Sequence, residues 1–264
     1  MRALALLLLC LTGMSGQQTS TQSAASDAQN NQQKARAVLD RMIKAMGGQA
    51  YLNVQDFYSE GRYGRYHNEV MIATNTFYRY WKWPDSERYE VTPERDIAYL
   101  YSPGKVIEIT YKGGRELDPE KDENIRQALV RRRFTMDKIL RGWLNAPGTI
   151  LLDEGPSLAE NQMAEKITII NAENDAASIL VSVDTHLPVQ KTFSNRDPRT
   201  RERDEEVETY GSWRVIDGVN TPCSTQLKHN GGLVRTEAIT SASYNVRPPD
   251  AVFTPKLISH SNKK

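Results

Sequence analysis

The sequence predicts a mainly β protein (α+β): a large curved antiparallel sheet or half-open β-barrel of about 10–11 strands, with an N-terminal helix and a helical insertion covering its concave face. Three observations carry this. Apolar residues between Ala35 and Met46 recur at helical spacing. Two long tracts, Asp56 to Lys112 and Thr149 to Asn245, consist of short aromatic and β-branched runs separated by turn residues. Between them, Glu120 to Leu144 reverts to steps of three and four residues.

Taken in order, Ala35, Val38, Leu39, Met42, Ile43 and Met46 form one helical face, with Lys34, Arg36, Asp40, Arg41 and Lys44 opposite. Gly47-Gly48 stops that helix. Strands are expected over 56–66, 69–83, 88–92, 96–101 and 106–112, with Gly113-Gly114 ending the set. In the last of these, Ile107, Ile109 and Tyr111 alternate with Glu108, Thr110 and Lys112, which places the apolar set against the core. The insertion reads as two short helices, Thr135 being the N-cap of the second. Strands resume at 149–153, 165–171, 176–183, 188–194, 205–213, 224–228 and 233–245, and His229-Asn-Gly-Gly232 is a hairpin turn between the last two.

The ends read as address. Residues 1–16 pair Arg2 with an apolar run and then small residues, the layout of a secretory signal peptide too short to span a bilayer. Cys10 leaves open a second address, a lipid anchor in the cell envelope. Residues 17–33, rich in Gln, Ser, Asn and Ala, are expected to be a disordered leader, residues 34–257 one folded domain, and 258–264 a disordered tail. The 34 basic residues nearly balance the 33 acidic ones, which argues against a nucleic-acid partner engaged through a basic surface. With Cys10 in the leader peptide, Cys223 has no internal disulfide partner and reads as a buried thiol.

Signatures of catalysis are missing. No G-x-S-x-G, phosphate loop or G-x-G-x-x-G occurs, and His67, His186, His229 and His260 are too scattered for a metal-ligand motif, so no cofactor or metal is expected. The run Arg201-Glu-Arg-Asp-Glu-Glu206 reads as a solvated face guarding a sheet edge, and Arg131-Arg132-Arg133 with Arg141 as a solvated helix face. For the arginines, contact with anionic head groups or an acidic partner is the other reading. Phe77, Trp81 and Trp83 share one face of their strand, while Tyr78 and Tyr80 share the other. That face is either an ordinary core or a wall for a ligand.

Several segments together resemble a known family. They are the helix ending Met46-Gly-Gly, the strand Val54-Gln-Asp-Phe-Tyr-Ser-Glu-Gly61, the segment Val183-Asp-Thr-His-Leu-Pro-Val189, the element Trp213-Arg-Val-Ile-Asp-Gly-Val-Asn-Thr-Pro222, and the closing Pro249-Asp-Ala-Val-Phe-Thr-Pro255. In this order after an export signal they resemble the LolA/LolB-like outer-membrane lipoprotein carriers and their exported relatives of unknown function. The resemblance implies a half-open barrel lidded by helices that shields acyl chains in the periplasm, without a cofactor or catalysis. The chain departs from it in its high charge and its unaligned middle insertion.

The resulting expectation is a non-enzymatic carrier of lipid or lipoprotein acyl chains, with a membrane or envelope protein as a further partner. The ligand would lie on an inner face formed by Phe77, Trp81, Trp83, Ile107, Ile109, Tyr111, Ile179 and Val181, with Leu39 and Met42 on the lid. The competing reading is an envelope scaffold whose inner face is solidly packed. A third, an exported enzyme, requires convergent buried acids.

Overall fold

The stripe Ala35, Val38, Leu39, Met42, Ile43 and Met46 is what helix α1 (Gln17–Ala45) buries, each residue being at most 9% exposed. The computed structural model describes residues 17–197 and 200–256, with side chains from residue 26 onward. Residues 1–16 with Cys10 and the tail with His260 lie outside the described residues. Because α1 begins at Gln17, the segment 17–33 is helical rather than a disordered leader. Its Gln and Ala residues are good helix formers without an apolar face. It leans instead on a side-chain clasp, Asn31 donating to the Asp153 carbonyl at 2.8 Å and accepting from the Asp153 amide at 2.9 Å.

Gly47 and Gly48, both at positive φ (125° and 57°), turn the chain out of α1 into the short helix α2 (Gln49–Leu52). The end of α1 is held by a hairpin from far along the sequence. Asn220 donates through its side chain to the Ala45 carbonyl (2.6 Å) and through its amide to the Met46 carbonyl (2.9 Å). A Cβ on Gly47 would sit 2.6 Å from the Gly218 carbonyl oxygen, so glycine alone permits the approach.

Thirteen strands follow: β1 (Asp56–His67), β2 (Val70–Lys82), β3 (Ser86–Val91), β4 (Ile97–Ser102), β5 (Lys105–Thr110), β6 (Gly113–Leu117), β7 (Ile150–Ala159), β8 (Gln162–Ile170), β9 (Ala176–Ser182), β10 (Pro188–Arg196), β11 (Arg203–Ile216), β12 (Val219–His229) and β13 (Gly232–Tyr244). They form one antiparallel sheet in the order β6-β5-β4-β3-β2-β1-β13-β12-β11-β10-β9-β8-β7. Two meanders are thus joined through β1 and β13, from Phe57↔Tyr244 to Arg65↔Arg235, and the edges β6 and β7 do not pair. The count exceeds the expected 10–11. Gly113-Gly114, read as an end, instead begins β6 after the Tyr111-Lys112 turn and pairs with Thr110 and Ile109.

The insertion between the two edges holds helix α3 (Glu123–Arg133) and a π-helical turn over Lys138–Trp143. Asp122 caps α3 by accepting from the amides of Asn124 and Ile125. Thr135 accepts from Lys138 at 3.4 Å, so it does cap the second element, although that element is a π turn.

The main core lies between α1, the insertion and the β7–β10 half of the sheet. Leu39 and Met42 of α1 and Ile139 and Leu140 of the π turn pack against Ile167, Ile169, Ile179, Val181 and Phe193. Phe134 stacks on Phe193 with ring centroids 4.1 Å apart and meets Trp143 edge-on at 5.5 Å. A second cluster on the β1–β4 side joins Phe77, Tyr89 and Val91 with Tyr63, Tyr99 and Tyr101. Cys223 is buried and free, and Arg214 donates to its sulfur.

Candidate functional site

Strand alternation fixes what the helix-bearing face of the sheet offers. Along β2 this face carries Phe77, Arg79 and Trp81, and register carries it through Tyr89 and Glu87 on β3 and Glu237 and Arg235 on β13. The β7–β10 half is apolar and covered by α1. The β1–β4 half is aromatic and ionic. Arg79 donates to Glu237 at 2.8 Å and lies 3.2 Å from Glu87, Arg235 donates to Glu237 and to the Tyr89 hydroxyl, and the Arg79 guanidinium sits 5.1 Å from the Tyr89 ring. Burial raises the Glu237 pKa, but the charges of Arg235 and Arg79 outweigh it and bring it down to about 2. Glu208 shows the same contest, burial opposed by the nearby Lys191 at 2.6 Å, and also ends lowered. These acids are held ionised by fixed cations, the arrangement of structural ion pairs and not of a proton donor. Asp137 differs: burial raises its pKa against the opposing charge of Arg141.

The ten sequence-derived site residues do not line one wall. Leu39, Met42, Ile179 and Val181 are buried together in the main core, and Trp81 packs against it. Phe77 shares the face of Trp81 but belongs to the tyrosine cluster. Trp83, just past β2, lies 6.2 Å from Trp81 and stacks under the Arg141 guanidinium at 4.0 Å. Ile107 and Ile109 are a correction. They pack with Ala98 and Leu100 on the opposite face of the sheet, while Glu108 shares the face of Tyr99 and accepts from it. Alternation shows that one side of a strand is apolar, but here both sides are covered. The closing segment contributes on that far side, Arg88 donating to the Val252 carbonyl. Tyr111 lies beyond β5 in a turn and is 53% exposed.

Sequence reading also misplaced the charges. Arg131 and Arg132 are not a solvated face, and Arg133, although exposed, is ion-paired. Arg131 donates to Glu206 on β11 (2.7 Å), Arg132 to Asp85 (2.8 Å) and to Glu87 on β3, and Arg133 to Asp175 (2.5 Å) between β8 and β9. One turn earlier, Arg126 pairs with Asp197 at 2.5 Å and Gln127 donates to Asp204. The acidic run therefore does not guard an edge. Glu206 is 1% exposed, on a strand flanked by β10 and β12, and it also contacts His229. No local signal reveals these pairs, whose members lie 42 to 77 residues apart.

Helix α3 thus spans the sheet opening, fastened mainly by charge. It buries only Ile125 and Gln127. Beneath it lies a pocket of about 510 Å³, bounded by Leu129, Val130 and Arg132 of the helix, Ser102 and Gly104 of the β4–β5 turn, and Asn195 of β10. A second, larger pocket of about 710 Å³ lies between α1 and the end of the insertion, with a mainly polar glutamine-rich wall. Among the described residues, no three His, Cys, Asp or Glu side chains are grouped as metal ligands would be.

Solved structures share this fold. A DUF1329 family protein from Desulfovibrio piger aligns with a TM-score of 0.57 at 15% identity, over 83% of this chain and 97% of that one. A LolA superfamily protein from Nitrosomonas europaea aligns at 0.53 and 11%, over 83% and 97%. This chain has the LolA-like fold. A third LolA-like match is a putative outer membrane lipoprotein-sorting protein domain from Vibrio parahaemolyticus, at 0.51 and 9%, over 87% and 97%. No family model matches the sequence, and no curated protein matches it either.

Proposed function

We propose that the protein is an exported, non-enzymatic carrier that shelters acyl chains between the concave sheet and its covering helices. The observation that carries this reading is the open mouth of the LolA-like sheet, bridged by a helix that is ion-paired to strands β3 and β11 and to the β2–β3 and β8–β9 turns and that borders a pocket of about 510 Å³. That volume is within the usual range of small-molecule sites. A putative outer membrane lipoprotein-sorting protein domain and a LolA superfamily protein among its structural neighbours support the class.

The seat for the chain is the apolar half, with Ile179 and Val181 on the sheet and Leu39 and Met42 on α1. In the structure the α1 stripe fills that seat. A ligand chain would replace it as the helix swings about the Gly47–Gly218 contact. Ten methylenes transferred from water give on the order of 8 kcal/mol, so capture requires no nucleotide. Trp81 and Trp83 stand at the border of this seat, and Phe77 lies one cluster away. In this reading residues 1–16 act as the export signal of a periplasmic carrier, and Cys10 gives the envelope-anchored alternative.

One observation favours a second reading. The core between α1 and the sheet is fully packed, as a ligand-free envelope scaffold would be. Recovery of the mature protein from its native envelope, followed by mass spectrometry of the organic extract, separates the two. A stoichiometric acyl lipid supports the carrier. Protein free of lipid, bound instead to an envelope partner, supports the scaffold.

A further inference from the structure

The wall of the pocket beneath α3 is chemically lopsided. Among its lining residues five are Arg or Lys and two are Asp or Glu, with Arg126 and Arg133 paired to Asp197 and Asp175 just outside it. Asp85 is shared by two cations, accepting from Arg132 at 2.8 Å and from Lys138 at 2.7 Å. Arg196 lines the same pocket, exposed at the end of β10, and among the described residues no carboxylate pairs with it. Gln127, 7% exposed, also lines it, and its Oε1 has no hydrogen-bond partner although its Nε2 has two. Leu129 and Val130 give the pocket an apolar side a few ångströms from these polar groups.

A site with one unpaired guanidinium, one carboxylate shared by two further cations, an unmet buried acceptor and an aliphatic flank fits an amphiphile with a negative head. We propose that this pocket binds the anionic headgroup, a phosphate or carboxylate, of an acylated ligand. Arg196 and the Arg132–Lys138 pair serve as donors, the unmet Oε1 of Gln127 takes a headgroup hydroxyl, and Leu129 and Val130 meet the first methylenes. The inference rests on the carrier reading above and deepens it by naming the head of the ligand. The anion competes with Asp85 for Arg132 and Lys138, so loading weakens one fastening of α3 at the moment the chain must pass beneath it.

The test uses the full mature chain and two lipids with the same fluorescent acyl chain, one with a phosphatidylglycerol head and one with phosphatidylcholine, together with inorganic phosphate alone. Phosphatidylglycerol is expected to bind roughly tenfold more tightly than phosphatidylcholine. That ratio should fall towards one in Arg196→Gln, whose exposed side chain makes no ion pair that folding depends on, and in Lys138→Gln. Inorganic phosphate should compete weakly, in the millimolar range or above. Equal affinity for the two heads would overturn this inference and leave the carrier standing. So would a preference that survives both substitutions, which would put the headgroup elsewhere. Phosphate binding as tightly as the lipid would overturn the acylated ligand in favour of a free anion. Binding of neither lipid would remove the carrier reading itself.

Discussion

At Gly47 the cost of any side chain is twofold, a φ of 125° and a contact of 2.6 Å with the Gly218 carbonyl oxygen, whereas Gly48 has the positive φ but open space around it. Gly47→Ala should therefore lower stability by about 1–3 kcal/mol and Gly48→Ala by less, measured as thermal unfolding midpoints of the two variants side by side. Glu237 is a second decisive residue. Its carboxyl, ordinarily at 4.5, is brought down to about 2 by Arg235 and Arg79 against the opposing effect of burial. A depressed carboxylate stabilises the fold above its unfolded value, and that contribution fades as pH falls from 4.5 towards 2. Glu237→Gln leaves two partly buried guanidinium groups without their shared partner, although Glu87 and the Tyr89 hydroxyl remain. It should cost about 1–3 kcal/mol at neutral pH and flatten the acid limb of the stability profile, read by denaturant unfolding across that range. An unchanged acid limb would mean that Glu237 is not the group responsible. None of these partnerships was legible in the sequence. Sheet register brings Arg79 to Glu237, and the docking of α3 on the sheet brings Arg131 to Glu206.

Among the elements, α1 and α3 are bound by opposite kinds of force. The apolar stripe of α1 was legible because helical spacing and the Gly-Gly stop both survive in a single stretch of sequence. The charges of α3 were legible as charges but not as clamps, since their carboxylate partners lie on β3, β11 and the β8–β9 loop. Raising salt from about 0.05 M to about 1 M shortens the Debye length severalfold and weakens partly exposed pairs while sparing apolar contacts. Amide exchange in Glu123–Arg133 should therefore quicken with salt relative to that in the Ala35–Ala45 turns of α1, a comparison that hydrogen-exchange mass spectrometry makes directly. The joint between α3 and the π turn depends on packing instead. Phe134→Ala, which removes a fully buried ring stacked on Phe193, should cost about 3–5 kcal/mol. Strand β5 marks the limit of pattern reading. The alternation of Ile107 and Ile109 was correct as a period but assigned to the wrong side, because the chain's closing segment helps cover the far face.

At the scale of the whole molecule, the order of turns and alternating runs was enough to foresee an open antiparallel sheet with a helical bridge. What escaped it was the division of the concave face into an apolar half under α1 and an ionic, aromatic half beside it. That division matters for function, because a chain of methylenes fits the first half and not the second. The central claim is that this face takes up an acyl chain, and tryptophan positions offer a direct reading. Trp81, Trp83 and Trp143 stand in or beside the core, so energy transfer from tryptophan to a polyene fatty acid reports occupancy of that seat. The account predicts saturable transfer near one ligand per chain, reduced in Trp81→Phe and competed by unlabelled fatty acid. Transfer that never saturates, or none at any concentration below the probe's self-association, would contradict it.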